Sequence, residues 1–429
     1  MQQLRNIKIE EVSTLLKRPA IDSDYLEGTV KNIIQRVKAG GDAALQAFNR
    51  QFDQVELEDL KVSEAELEDA ERQLSKALKD AIVSASDNIR KFHKVQIQEV
   101  QEIETMPGVT CWRKSVPINT VGLYIPGGTA PLFSTVLMLG VPAQLANCNQ
   151  VVLCTPANRK GEVNPAILFA AKLTGIKQIF KVGGAQAIAA MALGTATIPK
   201  VDKIFGPGNQ YVTKAKQLVN MEGVAIDMPA GPSEVAVIAD QSADAEFIAA
   251  DLLSQAEHGA DSQVILITDS EKLAQGVEQV IESLLQQLPR QDVARECLTK
   301  SKVVLVKDMQ EAIAISNAYA PEHLIINCAD ADKLAEAVTQ AGSVFIGAYT
   351  PESAGDYASG TNHTLPTNGA ASAYSGVSLD SFMKKITFQR ISEAGLKNVG
   401  PIVEIMAEAE QLVAHKQAVS VRLKKLEVS

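Results

Sequence analysis

The pair of side chains best suited to acid/base chemistry is Glu322-His323, within residues 317–326. An apolar helical pattern ends just before this pair, and the apolar run Leu324–Ile326 begins just after it. Because Pro321 disfavours helical geometry in the residue before it, the backbone is expected to turn there. Adjacent side chains at a helix-to-strand junction can point into one cleft, as a general acid and base require. A surface glutamate and a hydrogen-bonded loop histidine would leave the same pattern.

Three other segments carry polar side chains that could ligate a metal or bind a small polar substrate. These candidates are Gln255 and His258, Asp356 and His363, and Glu410 and His415. The first two lie three residues apart at the end of a helical pattern and therefore share a face. The second two lie in a loop too long and too rich in small residues for a simple connection. Each segment also has an ordinary structural interpretation, because two groups alone do not make a metal site.

Three glycine clusters each follow an expected strand and precede an expected helix. They are residues 125–129, 183–187 and 206–210. Helix N termini at such positions offer free N–H groups to phosphates. None of the clusters has the Gly-x-Gly-x-x-Gly spacing, and no P-loop is present. Tight turns would explain any one cluster, whereas three at equivalent positions also suit a nucleotide-sized cleft.

Composition excludes several classes of protein. The 429 residues are 46% hydrophobic and 21% charged, which is typical of a soluble globular protein. A net charge of −10 argues against nucleic acid as a main partner. No apolar run reaches membrane-spanning length, and the first residues lack the apolar core of a signal peptide. Five cysteines without a Cys-x-x-Cys pair indicate a reducing compartment, so a cytoplasmic location is expected.

Short apolar runs alternate with helical patterns from Val121 onward, which predicts βαβ units and a parallel sheet. The expected strands are 121–125, 151–155, 179–182 and 203–205, then 235–239, 264–268, 303–306, 324–326 and 344–346. After residue 347 a loop rich in small polar residues is expected as far as 378. A short strand at 386–389 and one helix at about 399–422 would complete the chain.

The first hundred residues predict helices and little else. Residues 1–20 suggest a weakly structured segment, and a helix is expected from 22 to 48 with an interruption at Gly40-Gly41. Ser63 and Glu66 have the spacing of a capping box. The long helix that follows has an apolar stripe formed by Leu74, Leu78, Ile82, Ile89 and Phe92. On that helix His93 lies between lysines and is expected to face solvent.

Seven segments together resemble those of the histidinol dehydrogenase family. They are Gly183–Gln186, Ile204–Asn209, Pro229–Glu234, Ser254–Gly259, Asn317–His323, Gly355–Tyr357 and Ser359–Pro366. The resemblance runs in order over the chain from Val121 onward. The first hundred residues share only general character with that family.

The resemblance implies a zinc enzyme that oxidises L-histidinol through L-histidinaldehyde to L-histidine with two NAD, in the last steps of histidine biosynthesis. It places one zinc per subunit on Gln255, His258, Asp356 and His415. Glu322 and His323 would be catalytic. Substrate contacts would come from Ser233, Gln255, His258, His323, Asp356, His363, Glu410 and His415. NAD would contact Tyr124, Gln186 and Asn209. The family also implies a homodimer in which the C-terminal segment reaches the neighbouring subunit's site.

The residue types suit this chemistry. Two imidazoles, one carboxylate and one amide oxygen are suitable ligands for Zn²⁺. His323 would accept the alcohol proton, and Glu322 would activate the water that hydrates the aldehyde. A thiohemiacetal on Cys148 or Cys154 is the alternative route to the acid, although neither thiol has a basic neighbour in sequence. The sequence leaves NADP open as well.

Pattern and resemblance together predict an α/β fold of two incomplete Rossmann-like domains with parallel sheets, plus small N- and C-terminal segments. The expected divisions are an N-terminal arm (1–20), a first domain with the metal and acid/base residues (21–123 and 235–377), a second domain for NAD (124–234) and a C-terminal dimerisation segment (378–429). Two other functions remain open from the residues alone: a metal-dependent hydrolase, and a two-lobed protein that binds a small polar ligand.

Overall fold

The computed structural model describes residues 1–19, 23–127, 131–228 and 231–428. Parts of two predicted motifs, Gly128-Thr129 and Pro229-Ala230, lie outside the described residues, as do the expected domain boundary at 20–21 and the start of the helix predicted from 22. The chain forms two compact units. The first unit contains residues 1–94 and 118–382, and the second contains residues 95–117 and 383–429.

The described residues form these strands: β1 (Gln2–Arg5), β2 (Glu102–Met106), β3 (Val109–Pro117), β4 (Thr120–Tyr124), β5 (Gln150–Thr155), β6 (Gln178–Lys181), β7 (Lys203–Phe205), β8 (Ala225–Ile226), β9 (Glu234–Ala239), β10 (Gln263–Thr268), β11 (Lys302–Leu305), β12 (His323–Asn327), β13 (Ser343–Ile346) and β14 (Met383–Ile391).

The helices are α1 (Val12–Leu15), α2 (Ser23–Phe48), α3 (Glu64–Gln73), α4 (Lys76–Lys94), α5 (Phe133–Leu145), α6 (Pro165–Leu173), α7 (Gly184–Leu193), α8 (Gln210–Met221), α9 (Ala245–Ala256), α10 (Glu271–Leu285), α11 (Gln291–Lys300), α12 (Met309–Tyr319), α13 (Ala331–Ala335), α14 (Glu352–Tyr357), α15 (Glu393–Ala409) and α16 (Val413–Val428). A π-helical turn at Asn49–Asp53 and 3-10 turns at Ile9–Glu11, Ala370–Ser372 and Leu379–Phe382 complete the set.

Two parallel sheets organise the first unit, so the predicted α/β class is confirmed. One sheet has the strand order β1-β11-β10-β9-β12-β13, and the other has the order β6-β5-β4-β7-β8. In the first sheet the chain runs outward from β9 through β10 to β11 and then returns to β12 beside β9. In the second it runs from β4 through β5 to β6 and returns to β7 beside β4. Each sheet therefore reverses its strand order once, next to its first buried strand.

The N-terminal residues belong to a sheet. Strand β1 lies parallel to β11, with Gln2 opposite Lys302 and Arg5 opposite Leu305. The expectation of a weakly structured segment was therefore wrong for residues 2–5. Three polar residues and one leucine carry no strand signal of their own, and the edge of β11 supplies the backbone partners that make them a strand.

Helix α2 bends where Gly41 adopts a φ of 50°, which confirms the predicted interruption. The capping box of Ser63 and Glu66 is also present at the start of α3. On α4 two expectations were wrong, because Phe92 is exposed and His93 is buried. The buried positions Ile82, Ser86, Ile89 and His93 continue at helical spacing, so the histidine takes the place expected for the phenylalanine.

The second unit is an antiparallel sheet in the order β14-β3-β2 with the helices α15 and α16. Strand β14 is longer than predicted, because all nine of its residues pair with β3. The single helix expected at 399–422 was wrong. It is two helices separated by a turn in which Gln411 has a φ of 60°. Gly400 on α15 lies against Leu423 on α16, so its lack of a side chain allows the two helices to approach closely.

Among the described residues, none of the helices has both the length and the apolar character that crossing a bilayer requires.

Candidate functional site

The acid/base pair lies at the junction that the sequence predicts. Helix α12 ends at Tyr319, Ala320 turns the backbone with a φ of 51°, and β12 begins at His323. Glu322 and His323 are only 5% and 4% exposed, so they are not the surface pair of the alternative interpretation. Their position is at the amino ends of β9 and β12. This is the opposite edge from the one at which open α/β sheets usually hold their ligands.

Backbone atoms of Glu234, the first residue of β9, hold both members of the pair. The Glu234 N–H donates to Glu322 Oε2 at 2.9 Å. His323 Nδ1 lies 3.2 Å from the Glu234 carbonyl oxygen. Because a carbonyl oxygen only accepts, Nδ1 must carry a proton and donate it. In a neutral ring Nε2 then holds the lone pair, and this atom is buried without a hydrogen-bond partner among the described residues.

Three carboxylates surround the His323 ring. Glu352 Oε1 lies 3.5 Å from Nδ1, Glu322 Oε2 lies 3.7 Å from Nδ1, and Asp356 Oδ1 lies 3.6 Å from Nε2. Burial alone would lower the pKa of His323, but Glu352, Glu322 and Asp356 outweigh it and hold this pKa well above its usual range. Burial raises the pKa of Glu322 and that of Glu352 to about 8 each. The cluster therefore exchanges protons at pH values close to 8 and above.

A second layer fixes Glu234 in turn. Arg18 makes an ion pair with the Glu234 carboxylate through Nε. Its Nη2 donates to Glu234 Oε1 at 2.8 Å and to the Tyr319 carbonyl oxygen at 2.8 Å. The guanidinium carbon lies 3.9 Å from the centroid of the Tyr319 ring. The Tyr319 hydroxyl donates to Gln263 Oε1 at 2.8 Å. This network, here called the Arg18–Glu234 network, connects Arg18 to β9 and to the end of α12, just before the acid/base pair.

The predicted metal ligands of the first unit lie near this cluster. Gln255 is in the last turn of α9 and is fully buried, and neither amide atom has a hydrogen-bond partner among the described residues. His258 follows two residues after the helix, and burial lowers its pKa. Burial raises the pKa of Asp356, but the nearby His323 outweighs this effect, so the net shift is downward. A neutral imidazole beside an ionised carboxylate is the protonation state in which these groups bind metals.

One tighter group was not predicted from the sequence. His323, Glu352 and Asp356 offer ligand atoms that all lie within 4.8 Å of one another, and within the described ranges no other three histidine, cysteine or acidic side chains come so close. Asp356 therefore belongs to two possible sets of metal ligands. One is the predicted set with Gln255 and His258, and the other is the group with His323 and Glu352. Glu352 could not be recognised in advance, since a single acidic residue on a short helix carries no sequence signal.

His363 is half-buried and uses both ring nitrogens within the protein. Its Nδ1 donates to the Asp356 carbonyl oxygen at 2.8 Å, so Nε2 accepts from Thr135 Oγ1 at 3.0 Å. Burial lowers the pKa of His363. The ring is thus neutral and close enough to Asp356 for the charges to interact. Ser233, another predicted substrate contact, directly precedes β9, and its carbonyl oxygen accepts from the Gln263 N–H at 3.3 Å.

The three predicted nucleotide contacts line one cavity of about 1370 Å³. Tyr124 ends β4, and its hydroxyl accepts the Gly184 N–H at 3.0 Å. Gln186 lies in the first turn of α7, and Asn209 caps α8 by accepting the Val212 N–H at 3.2 Å. The cavity lies beyond the carboxyl end of β4, beside which the strand order of this sheet reverses. That is the usual place for a nucleotide in a parallel sheet.

A buried ion pair between Lys216 and Asp227 holds the turn that contains Gly206, just before α8. Lys216 donates to the Gly206 carbonyl oxygen at 3.0 Å, and Asp227 accepts the Gly206 N–H at 2.9 Å. Gly206 has a φ of 126°, and a Cβ there would lie 2.1 Å from the Tyr124 carbonyl oxygen. Only glycine therefore allows the turn before α8 to approach β4 so closely.

The remaining predicted site residues belong to the second unit. Glu410 is the residue that follows α15, and His415 lies in the first turn of α16. Both side chains are exposed in the single chain.

Comparisons with known proteins cover nearly the whole chain. A sequence profile of the family described as histidinol dehydrogenase matches residues 16–423. A histidinol dehydrogenase of Bacteroides fragilis is 60% identical over 412 residues, which cover 96% of this chain and 96% of that protein. One of Bacteroides thetaiotaomicron is 60% identical over 417 residues, 97% of each. The crystal structure of a histidinol dehydrogenase from Elizabethkingia anophelis is 55% identical, with a TM-score of 0.97 over 100% of this chain and 99% of that chain.

The Arg18–Glu234 network predicts an unequal cost for two arginine substitutions near the N terminus. Arg18→Ala is expected to lower the free energy of unfolding by about 3 kcal/mol or more, because it leaves the Glu234 carboxylate buried and unpaired. Arg5→Ala is the matched control, since Arg5 pairs with Glu271 in solvent, and it should leave stability nearly unchanged. Urea denaturation measures both. Similar losses for the two variants would contradict the importance assigned to the buried pair.

Proposed function

Because the chain belongs to the histidinol dehydrogenase family, it is an oxidoreductase, and we propose that it oxidises L-histidinol to L-histidine through L-histidinaldehyde, with two NAD consumed. Family membership removes the hydrolase and the simple binding protein as alternatives. The observation that carries the proposal is the His323 ring, whose Nδ1 donates to the Glu234 carbonyl oxygen and whose Nε2 is buried without a hydrogen-bond partner among the described residues, so that Nε2 is the atom that exchanges a proton. That arrangement suits a base for an alcohol proton.

The alcohol step needs a base that faces the substrate. With Nδ1 donating to the Glu234 carbonyl oxygen, Nε2 of His323 would accept the hydroxyl proton as the C–H bond breaks. The neighbouring carboxylates Glu352, Glu322 and Asp356 would stabilise the imidazolium so formed. Bound NAD would take up the electrons of each oxidation, as nicotinamide cofactors do.

The aldehyde step needs a hydrate, and Glu322 would supply its base. Glu322 Oε2 is held by the Glu234 N–H, which fixes the carboxyl group beside His323. The thiol route has little support. Burial raises the pKa of Cys148 to about 11 and raises that of Cys154, which lies fully buried in β5, further still. A thiolate at either position is therefore unfavourable at neutral pH.

The residues of the first unit fit a zinc ion. The buried amide of Gln255 has no hydrogen-bond partner among the described residues, which a ligand role would explain. We propose that Gln255, His258 and Asp356 hold one zinc ion together with His415 of the partner subunit, and that Ser233, His363 and the partner subunit's Glu410 complete the substrate contacts. Bound zinc would act as a Lewis acid that orients the substrate.

A homodimer with a shared site follows from the same ligand count. Three ligands leave a zinc site one short of the usual four. His415 is exposed in the single chain, and so are the large apolar side chains of Ile402, Ile405, Met406 and Val421 on α15 and α16. A contiguous apolar surface of this kind is typical of an interface between subunits. Residues 378–429 would then be the dimerisation segment.

The functional division of the chain is proposed as follows. Residues 124–234 would bind NAD, and residues 21–123 with 235–377 would carry the metal and acid/base groups. Residues 1–20 would be a separate N-terminal arm. The five cysteines form no disulfide, which supports a reducing compartment and hence a cytoplasmic biosynthetic enzyme.

The direct test of the function is the yield of NADH. L-histidinol supplied as the limiting substrate with excess NAD should give two NADH per molecule and L-histidine as the product, because two two-electron oxidations separate an alcohol from an acid. A yield of one NADH with accumulating aldehyde, or no NADH at all, would contradict the proposal.

Glu322 should control the second oxidation and its pH dependence. Since the pKa of Glu322 is raised to about 8, its base form accumulates as pH rises, and aldehyde oxidation should accelerate through that range. Glu322→Gln should slow this step by about 10²–10⁴ and slow alcohol oxidation much less. Stopped-flow measurement with histidinaldehyde reports the step, with Cys148→Ser as the control that stays near normal. Loss of acid formation in the cysteine variant, with Glu322→Gln still at full rate, would favour the thiol route.

The two ligand sets that share Asp356 can be separated by metal analysis. His258→Asn should weaken zinc binding by about 100-fold or more, whereas Glu352→Gln should keep its zinc, because only the first removes a proposed ligand. Chelation of the wild type should abolish oxidation and leave NAD affinity largely intact. If His258→Asn retains zinc and Glu352→Gln loses it, the zinc ligands are instead His323, Glu352 and Asp356.

The shared site can be tested by mixing subunits. His415→Asn and His258→Asn chains, each inactive alone, should recover activity in mixed dimers, because one of the two sites then holds both lesions and the other holds none. Verified mixed dimers that remain inactive would mean that His415 serves its own subunit.

A further inference from the structure

The nucleotide cavity contains an acidic side chain that the proposed chemistry does not use. Asp53 ends the π-helical turn that follows α2, and it lines the same cavity as Tyr124, Gln186 and Asn209. Phe52, the residue before it, lines the cavity as well and is half exposed. The sequence offered no signal for either residue, because the turn lies far from the glycine clusters.

Asp53 differs from the other acidic residues of the cavity wall in having a buried carboxylate oxygen, Oδ2, that no described residue contacts by a hydrogen bond. Among the described lining residues, Glu66 binds Lys181 at 2.6 Å, Asp69 accepts from Gln73 at 2.8 Å and Glu162 accepts from Asn158 at 3.1 Å. The Oδ2 atom of Asp53 is buried and has no hydrogen-bond partner within the described part of the chain. Burial raises the pKa of this carboxyl to about 6, and no cation opposes the shift.

A carboxylate that is buried without donors costs free energy, and such groups normally meet their donors in a ligand. Neutral hydroxyl groups suit this position. A phosphate would bring a second anion to it, in a wall where the described acidic residues outnumber the single described cation, Arg159. Two anions in a partly desolvated site repel each other strongly.

The neighbouring aromatic ring identifies what the hydroxyl groups are attached to. Phe52 stacks on the buried ring of Phe48 with centroids 5.6 Å apart and planes inclined by 6°, so its orientation is fixed. The Phe52 side chain is half exposed and lines the cavity, and an accessible aromatic ring of this kind is where a base stacks. A flat base next to two vicinal hydroxyls is the structure of a ribonucleoside, such as the adenosine half of NAD.

We propose that Asp53 accepts the ribose hydroxyls of the adenosine half of the dinucleotide while Phe52 stacks on the adenine, so that this turn selects NAD over NADP. The inference rests on the proposed function in one respect, namely that a nicotinamide dinucleotide occupies this cavity. It adds the residue that distinguishes the two dinucleotides, which differ only by a phosphate on one of those hydroxyls.

The test compares dissociation constants and kcat/KM for NAD and NADP in the wild type and four variants. Asp53→Asn should weaken NAD binding about 10-fold or more, since a charge-assisted hydrogen bond is lost, and should leave NADP no weaker. The NAD/NADP preference should therefore fall by about 10-fold or more. Asp69→Asn removes the same charge from the solvent-exposed rim of the cavity and should keep the wild-type preference. Phe52→Ala should weaken both dinucleotides equally.

The preference is a ratio within one protein, so a partly unfolded variant does not distort it. Asp53→Glu serves as a second variant, in which the restored charge should recover part of the preference for NAD. An unchanged preference in Asp53→Asn, or a wild type that prefers NADP, would overturn the role of Asp53. A wild type that binds neither dinucleotide would instead overturn the proposed function, so the two failures are distinguishable.

Discussion

The candidate site depends on the parallel pairing of β9 with β12. Because His323 is opposite Val235 in this register, the peptide groups of Glu234 lie where they can bind Glu322 with the N–H and His323 with the carbonyl oxygen. The side chain of Glu234 is meanwhile held from behind by Arg18 and Tyr319. A slip of the register by one residue would turn every side chain of β12 to the other face of the sheet. The geometry of the two acid/base groups is thus a property of the sheet rather than of a loop.

The electrostatic balance around His323 follows from this rigid placement. Three carboxyl groups and one imidazole are taken out of water together, and each shifts the pKa of the others. Burial favours the neutral carboxylic acids and the neutral ring, whereas proximity favours the charged pair. The competition places the titration of Glu322 and Glu352 at about pH 8. A site that must give and accept protons in two successive oxidations benefits from groups balanced in this way.

Patterns local to the chain predicted most of this fold. Alternating apolar runs and helical stretches identified all strands of both parallel sheets except β1 and β8, and Pro321 identified the junction before His323. Most of the failures were tertiary. Strand β1 exists because β11 offers an edge, and His93 is buried because loop residue Asn362 and the Ile89 carbonyl oxygen satisfy its ring. Glu352, Arg18 and Asp53 could not be identified from the sequence for a related reason. Each acts through contacts with residues that lie from 29 to more than 200 positions away in sequence, and no spacing rule covers such separations.

The pairing of β1 with β11 also sets an order of events in folding. Residues 2–5 can join the sheet only after residues 302–305 have been synthesised. Arg18 likewise waits for Glu234 and Tyr319. Contacts of such long sequence separation are slow to form, because the loop-closure entropy is lost before the contacts can compensate for it. The beginning of the chain is therefore expected to become ordered late, and its docking completes the contacts that hold the Glu234 side chain.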